Sequence, residues 1–132
     1  ALPKLKGVKV LGVDDEAPTR DVALAVLRHC GAEVRTVQSA KEAFEAMAEF
    51  HPDVLVCDIA MPGEDGFSLI RRVRSLGPRK GGDVPAIALS SSPKAEDRAR
   101  ALMAGFQLHV SKPLEPVELA AAVGSLSGRL AS

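Results

Sequence analysis

The sequence predicts an open α/β fold: five parallel strands in the order 2-1-3-4-5, with helices on both faces. Three observations carry this reading. Short apolar runs alternate with stretches of helical periodicity along the 132 residues, which is the pattern of successive βαβ units. The first, third and fourth runs are apolar almost throughout, as strands covered on both faces are, whereas the second alternates and the fifth is mixed, as suits edges. Polar residues of a few types follow these runs directly: Asp14-Asp15, Asp58, Ser90 and Lys112. They fall at the carboxyl edge of the sheet, where open α/β folds collect ligands at the topological switch point.

Residues 1–7 read as a short polar lead. Lys9 to Val13 is the first strand and runs into Asp14-Asp15-Glu16. Pro18 suits the first turn of a helix. Val22, Val26 and Cys30, with Leu24 and Leu27, give that helix its apolar side, and Gly31 ends it as a C′ residue. Glu33 to Val37 alternates polar and apolar, the pattern of a half-exposed strand. Ser39-Ala40-Lys41-Glu42 is a capping box, and the helix it opens has the stripe Ala43, Phe44, Met47 and Ala48. His51-Pro52 then turns the chain into Val54-Leu55-Val56-Cys57-Asp58, an apolar run that ends in a carboxylate.

A third helix follows Asp65-Gly66, with Phe67, Leu69, Ile70 and Val73 inward and Arg71, Arg72 and Arg74 outward. Gly77 to Asp83 is a polar loop, and Val84 to Leu89 is a fourth strand ending at Ser90. Ser92-Pro93 opens a fourth helix by N-cap and N1 preference, with Ala95, Ala99, Leu102 and Met103 on its core side and Gly105 at its end. Gln107 to Val110 is a short fifth strand before Ser111-Lys112-Pro113. The last helix carries Leu119, Ala122, Val123, Leu126 and Leu130 at a 3.6 period. No repeat or low-complexity tract interrupts the pattern, so the reading is one domain over 1–132 with a core of about 7–128.

Composition narrows the function classes. Seventeen basic and seventeen acidic residues cancel, which argues against a general affinity for nucleic acid or an anionic membrane. With no Trp, no Tyr and 4 Phe, platforms for stacking bases are scarce. No apolar run approaches the ~20 residues of a membrane span and no signal peptide is visible. Cys30 and Cys57 form no metal or redox motif; both read as reduced core residues of a cytoplasmic protein.

In the predicted order, Asp14, Asp15 and Asp58 meet at the crevice between strands one and three, with Ser90 and Lys112 beside them. Carboxylates that close repel by about 4 kcal/mol per pair at an effective dielectric of 20, so such a cluster raises a pKa or binds a cation. Oxygen-only donors at a shallow site favour Mg²⁺ (or Mn²⁺), which keeps some waters and bridges to phosphoryl oxygens. With the cation in place, Asp58 can act as nucleophile in an in-line displacement that gives an acyl phosphate. Lys112 and the Ser90 hydroxyl supply the positive charge and donor that transferring oxygens need.

Val-Leu-Gly-Val-Asp14-Asp15-Glu16, Asp58-Ile-Ala-Met-Pro62-Gly63-Glu-Asp-Gly66, Ala-Leu-Ser90 and Ser-Lys112-Pro113-Leu, in that order, resemble the receiver (CheY-like phosphoacceptor) domain of two-component response regulators, a flavodoxin-like doubly wound fold. The resemblance implies a cytoplasmic phosphoprotein of the phosphorelay that takes a phosphoryl group onto Asp58 from the phosphohistidine of a histidine kinase or phosphotransfer domain. It further implies a signalling phosphoacceptor that promotes its own phosphorylation and dephosphorylation, not a turnover enzyme. By resemblance, Asp15 and Asp58 bind the metal by side chain, Ala60 by its backbone carbonyl and Asp14 mainly through a metal-bound water. Lys112 contacts the phosphoryl group, the Lys112-Pro113 peptide is cis, and Ser90 with residue 109 is the switch. Output to a partner or linked domain uses the face of the fourth helix, fifth strand and fifth helix, with room for a homodimer; neither nucleic-acid binding nor membrane insertion is expected.

The departures from that pattern are as informative. The switch position usually holds Tyr or Phe and here is His109, smaller, polar and titratable. The two positions that set phosphoryl lifetime in relatives hold Ala60 and Ser92, neither an acid or amide that would hold an attacking water well, so slow self-hydrolysis is expected. His109 is also the one residue favouring a pseudo-receiver, an interaction module that works without phosphotransfer. Haloacid-dehalogenase-type phosphatases want a second Asp where Ala60 stands, and a flavin phosphate would be repelled by Asp14-Asp15-Glu16. The Arg71, Arg72, Arg74, Arg79 and Lys80 series reads as a solvated face, with a docking patch as the alternative.

Overall fold

The computed structural model describes residues 2–92 and 94–129. Strands β1 (Lys9–Val13), β2 (Glu33–Val37), β3 (Val54–Asp58), β4 (Ala86–Ser90) and β5 (Leu108–Ser111) form one sheet in the order β2-β1-β3-β4-β5, all pairs parallel. Between them lie α1 (Ala17–His29), α2 (Ala40–Phe50), α3 (Gly66–Arg74), α4 (Ala95–Ala104) and α5 (Pro116–Leu126). The predicted architecture is the observed one. β3 and β4 are buried at every residue, whereas β2 exposes Glu33 and Arg35.

The sheet separates two cores. On one side Leu11, Leu55, Cys57 and Ala88 pack against α2 and α3; on the other Val10, Val56, Ile87 and Leu89 pack against α1 and α5. Register sets the levels at the carboxyl edge. Val13 pairs with Cys57, so Asp14 and Asp58 leave adjacent central strands together; Ser90 pairs with Ser111, so Lys112 follows one step on.

Several side-chain placements differ from the sequence reading. The lead is not merely polar: Leu5 is 0% exposed and its amide donates to the Cys30 carbonyl at 2.7 Å. In α1 the buried residues are Ala23 and Leu27, while Val22 faces water and Val26 and Cys30 are half-buried. In α2 Ala40, Ala46 and Phe50 join Ala43 and Met47 inside, and Ala48 is exposed. The α2 capping box is one-sided: Ser39 Oγ accepts from the Glu42 amide at 3.2 Å, and the Glu42 carboxylate accepts the Ser39 hydroxyl.

Helix α4 departs furthest. It begins at Ala95 after Lys94, and Ser92 Oγ instead accepts from the Lys94 amide at 3.3 Å; Pro93 lies outside the described residues. Its fully buried residue is Ala101, whereas Ala95, Ala99, Leu102 and Met103 are exposed, Met103 at 88%. The helix meets α3 and β5 through small side chains, so the larger apolar ones are left outside. On α5, Leu119 and Val123 are buried with Ala120 and Gly124, Ala122 and Leu126 are half-buried, and Leu130 is outside the described residues.

Candidate functional site

Each acid is held by the geometry of the turn that follows its strand. Asp14 is 2% exposed; its Oδ1 accepts from the Glu16 amide at 2.9 Å, and its backbone carbonyl accepts from Arg20 Nη1 at 2.8 Å. Asp58 is equally buried, and its Oδ1 accepts from the Ala60 amide at 3.1 Å. That loop folds tightly back because Gly66, the first residue of α3, donates its amide to the Ile59 carbonyl at 3.1 Å. A Cβ on Gly66 would overlap the Asp58 carbonyl oxygen and stand 2.7 Å from Ile59 Cα. The loop then caps α3 through Asp65, whose Oδ1 accepts from the Ser68 amide.

Lys112 arrives from the far side. Its amide donates to the Ser90 carbonyl at 2.9 Å and its peptide bond to Pro113 is cis. The ammonium then stands 2.8 Å from Asp14 Oδ2, 3.3 Å from Asp58 Oδ1 and 3.4 Å from Glu16 Oε1. Ser90, 4% exposed, turns its Oγ to accept from the Ser92 amide at 3.0 Å, which leaves the hydroxyl proton free to donate. The ends of β1, β3, β4 and β5 thus converge on one crevice.

Charges there are mutually perturbed. Burial pushes the Asp58 carboxyl up to about 6; the Ala60 amide and Lys112 oppose the rise, and Asp14 and a hydrogen-bond contact with Asp15 add to it. Burial works against the Lys112 ammonium, yet the hydrogen-bond contact to Asp14 and the charge of Asp58 outweigh it and hold its pKa above the usual lysine value. Next to Asp58, burial raises the Cys57 thiol well above its ordinary range, so it stays a neutral packing group.

The residues fit a divalent cation. Asp14 Oδ2 is buried, and what meets it among the described residues is the Lys112 ammonium at 2.8 Å. Asp14, Asp15 and Glu16 each offer a carboxylate oxygen, all within 4.8 Å of one another. Hard oxygen donors of this kind suit Mg²⁺ or Mn²⁺. Glu16 is the member the sequence reading passed over; the third acid in a row was its only signal. Asp58 adjoins this set through Asp15 and the shared lysine. Ala60 shows its amide to Asp58.

His109 lies apart from the crevice, on β5 opposite Ala88. It is half-buried, and its Nε2 is buried with no hydrogen-bond partner among the described residues.

A sequence model of the response regulator receiver domain matches residues 10–124. The chain belongs to the response regulator receiver family. This receiver is 44% identical over 115 residues to an uncharacterized 14.6 kDa protein of Leptolyngbya boryana, covering 87% of this chain and 86% of that one. It is 31% identical to part of the hybrid signal transduction histidine kinase D of Dictyostelium discoideum, aligning over 92% of this chain but only 8% of the kinase. Among solved structures it superposes with a TM-score of 0.83 and 30% identity on the receiver domain of sensor histidine kinase PA1611 from Pseudomonas aeruginosa, covering 92% of this receiver and 98% of that domain. That crystal structure holds a magnesium ion in its active-site cleft.

Proposed function

We propose that this receiver accepts a phosphoryl group on Asp58 from a phosphohistidine, with a divalent cation bound beside it, and passes the signal through α4, β5 and α5 to a partner or linked domain. The observation that carries the reading is the position of Lys112, which reaches both Asp14 and Asp58 from the end of another strand. Asp58 Oδ1 is engaged by the Ala60 amide and Lys112, which leaves Oδ2 as the attacking atom. An O–P bond forms as the P–N bond of the phosphohistidine breaks, and the electron pair leaves on the imidazole nitrogen, which takes up a proton.

Asp14, Asp15 and Asp58, with the carbonyl of Ala60, would hold Mg²⁺ or Mn²⁺, and Glu16 stands close enough to Asp14 and Asp15 to join those two. The bound cation supplies charge neutralisation for the incoming phosphoryl oxygens. Lys112 balances a phosphoryl oxygen once the group is attached, and Ser90 donates its free hydroxyl proton to another. The role is that of a phosphoacceptor rather than a turnover enzyme. Reduced cysteines and the source of the phosphoryl group suit the cytoplasm, and no helix among the described residues is long and apolar enough to cross a membrane.

Incubation with acetyl phosphate and Mg²⁺, read by intact mass, tests the reading. Phosphate should be incorporated by the wild type and lost both in Asp58→Asn and on chelation of the metal. Incorporation that survives Asp58→Asn removes Asp58 as the acceptor. A wild type that takes up none favours the second reading, a phosphorylation-independent interaction module, whose support is the unusual His109.

A further inference from the structure

The basic series of α3 and the turn that follows it does not behave as one face. Arg72 pairs with Glu64 at 2.7 Å, Arg74 is turned inward onto backbone carbonyls, and Arg71 borders the groove between α3 and α4. Arg79 and Lys80 remain. Both are exposed, and among the described residues neither side chain forms an ion pair or donates a hydrogen bond. They crown the turn Pro78–Lys80, at the end of the sheet opposite Asp58.

That turn divides two hollows. One, of about 270 Å³, has Phe44, Met47 and Leu76 as its floor and His51, Arg79 and Lys80 on its rim. The other, of about 500 Å³, lies across the same ridge and shares Leu76, Arg79 and Lys80 with the first. No carboxylate lines either one. The ridge is fixed in advance. The amides of Lys80 and Gly82 both donate to the Gly77 carbonyl, the Gly81 amide donates to Pro78, and Gly82 packs so closely on the Leu76 carbonyl that a Cβ would overlap it. Arg74 Nη1 holds the Gly82 carbonyl from below at 3.0 Å. A preformed surface loses little ordering entropy when it binds.

We propose that this ridge is a docking surface for an acidic segment of a partner protein, one that places an apolar side chain in each hollow and a carboxylate between them on Arg79 and Lys80. Charge complementarity selects the acid: among the described residues Arg79 and Lys80 are unpaired between two hollows that no carboxylate lines, and Asp53 and Asp83 stand in a separate hollow on the far side of Arg79. The paired hollows select a polypeptide over a small anion, which would fill one hollow and leave the other empty. The surface is separate from the phosphoacceptor crevice and stands whether or not Asp58 takes phosphate.

The test uses the full chain, labelled with ¹⁵N, and a synthetic capped probe of sequence Gly-Leu-Asp-Asp-Leu-Gly. Amide shifts should concentrate at Phe44 to His51 and Leu76 to Gly82, and should saturate below about 5 mM. The double variant Arg79→Glu, Lys80→Glu should weaken binding at least about tenfold. Both side chains are exposed, so an unchanged spectrum elsewhere confirms that the variant is folded. Replacing the probe's Asp pair by Lys, or its Leu residues by Ala, should also abolish the shifts. No shift in the wild type, or equal binding of the Lys probe, overturns the proposal. Shifts that depend on protein concentration without probe identify a second copy of the chain as the occupant and overturn it equally.

Discussion

The guanidinium of Arg74, the last residue of α3, donates two hydrogen bonds to the carbonyl of Gly105, the residue that ends α4, from Nε at 3.0 Å and Nη2 at 2.8 Å. It also reaches the Gly82 carbonyl and the Gln107 side chain, and Gln107 Oε1 accepts from the Ala86 amide at the start of β4. One side chain therefore ties the end of α3 to both ends of the α4–β5 corner. Arg74→Ala leaves those carbonyls without their donor and should cost about 2 kcal/mol of unfolding free energy. Arg71→Ala, on the exposed side of the same helix, should change it by less than about 0.5 kcal/mol. Urea titrations compare the two; equal effects would remove the bracket.

Asp58 weakens the fold as it ionises. Its folded pKa, raised to about 6 mainly by burial, lies above the ordinary carboxylate value. The native state therefore binds the proton more tightly than the unfolded chain between those two values, and stability from this group falls as pH rises through the window. Asp58→Asn removes the charge. In chelator, the variant should be more stable than the wild type at about pH 8, and the gap should close toward about pH 4. Thermal melts across pH check it, and a gap that widens in acid contradicts the assignment.

His109 has the opposite slope. Burial depresses its pKa; Arg98 of α4 adds to that, while Asp97 of α4 and Glu118 of α5 oppose it. Its folded pKa lies below the unfolded value, so its contribution to stability is present above about pH 6.5 and is lost as pH falls through the folded pKa. Nε2 is buried without a partner among the described residues. His109→Phe removes that unsatisfied atom and should stabilise the receiver by about 1 kcal/mol at neutral pH, and by more in acid. Urea unfolding at two pH values measures both terms; a destabilised variant at neutral pH would show that Nε2 is satisfied.

Phosphoryl lifetime follows from what surrounds Asp58. Ala60 is exposed and carries no polar side chain, and Ser92 offers only a hydroxyl, whose Oγ accepts from the Lys94 amide at 3.3 Å. Neither is an acid or an amide that would hold an attacking water well. The phosphorylated protein should lose its label slowly, and Ala60→Asn, which adds an amide beside the acceptor, should shorten the half-life several-fold. Decay in purified phosphoprotein, followed by intact mass, decides it. A wild-type half-life of seconds would refute the expectation.

The central features of this fold were legible because they rest on strong local signals. Val54 to Cys57 reads as a doubly covered strand without ambiguity, and the position of Asp58 at its end follows from length alone. Strand order was legible because β2 alternates polar and apolar. The helices were read less well, for a physical reason. Where Ala makes the close contact, as at Ala23 and Ala101, it gives almost no hydrophobic signal, while Val22, Leu102 and Met103 advertise an inward face they do not have. An exposed apolar side chain is ordinary, so the inference from apolar to buried runs one way only. Arg74 misled for the complementary reason: its targets are backbone carbonyls of distant turns, which no side-chain pattern encodes. At the site, the approach of Lys112 to Asp14 and Asp58 was expected on order and resemblance, whereas Glu16 depended on how its loop closes.

The close approach at Gly66 reaches beyond packing. Any larger residue there must lift the loop from the tip of β3, and the Ala60 amide would move off the Asp58 carboxylate with it. If Asp58 is the acceptor we propose, changes at Ala60, Ser92 or His109 would adjust timing or readout, whereas a change at Gly66 would disturb the Asp58 loop itself. Tolerance of mutation is thus uneven around Asp58: Ala60 is exposed and free to vary, whereas the gap at Gly66 has no room for a Cβ.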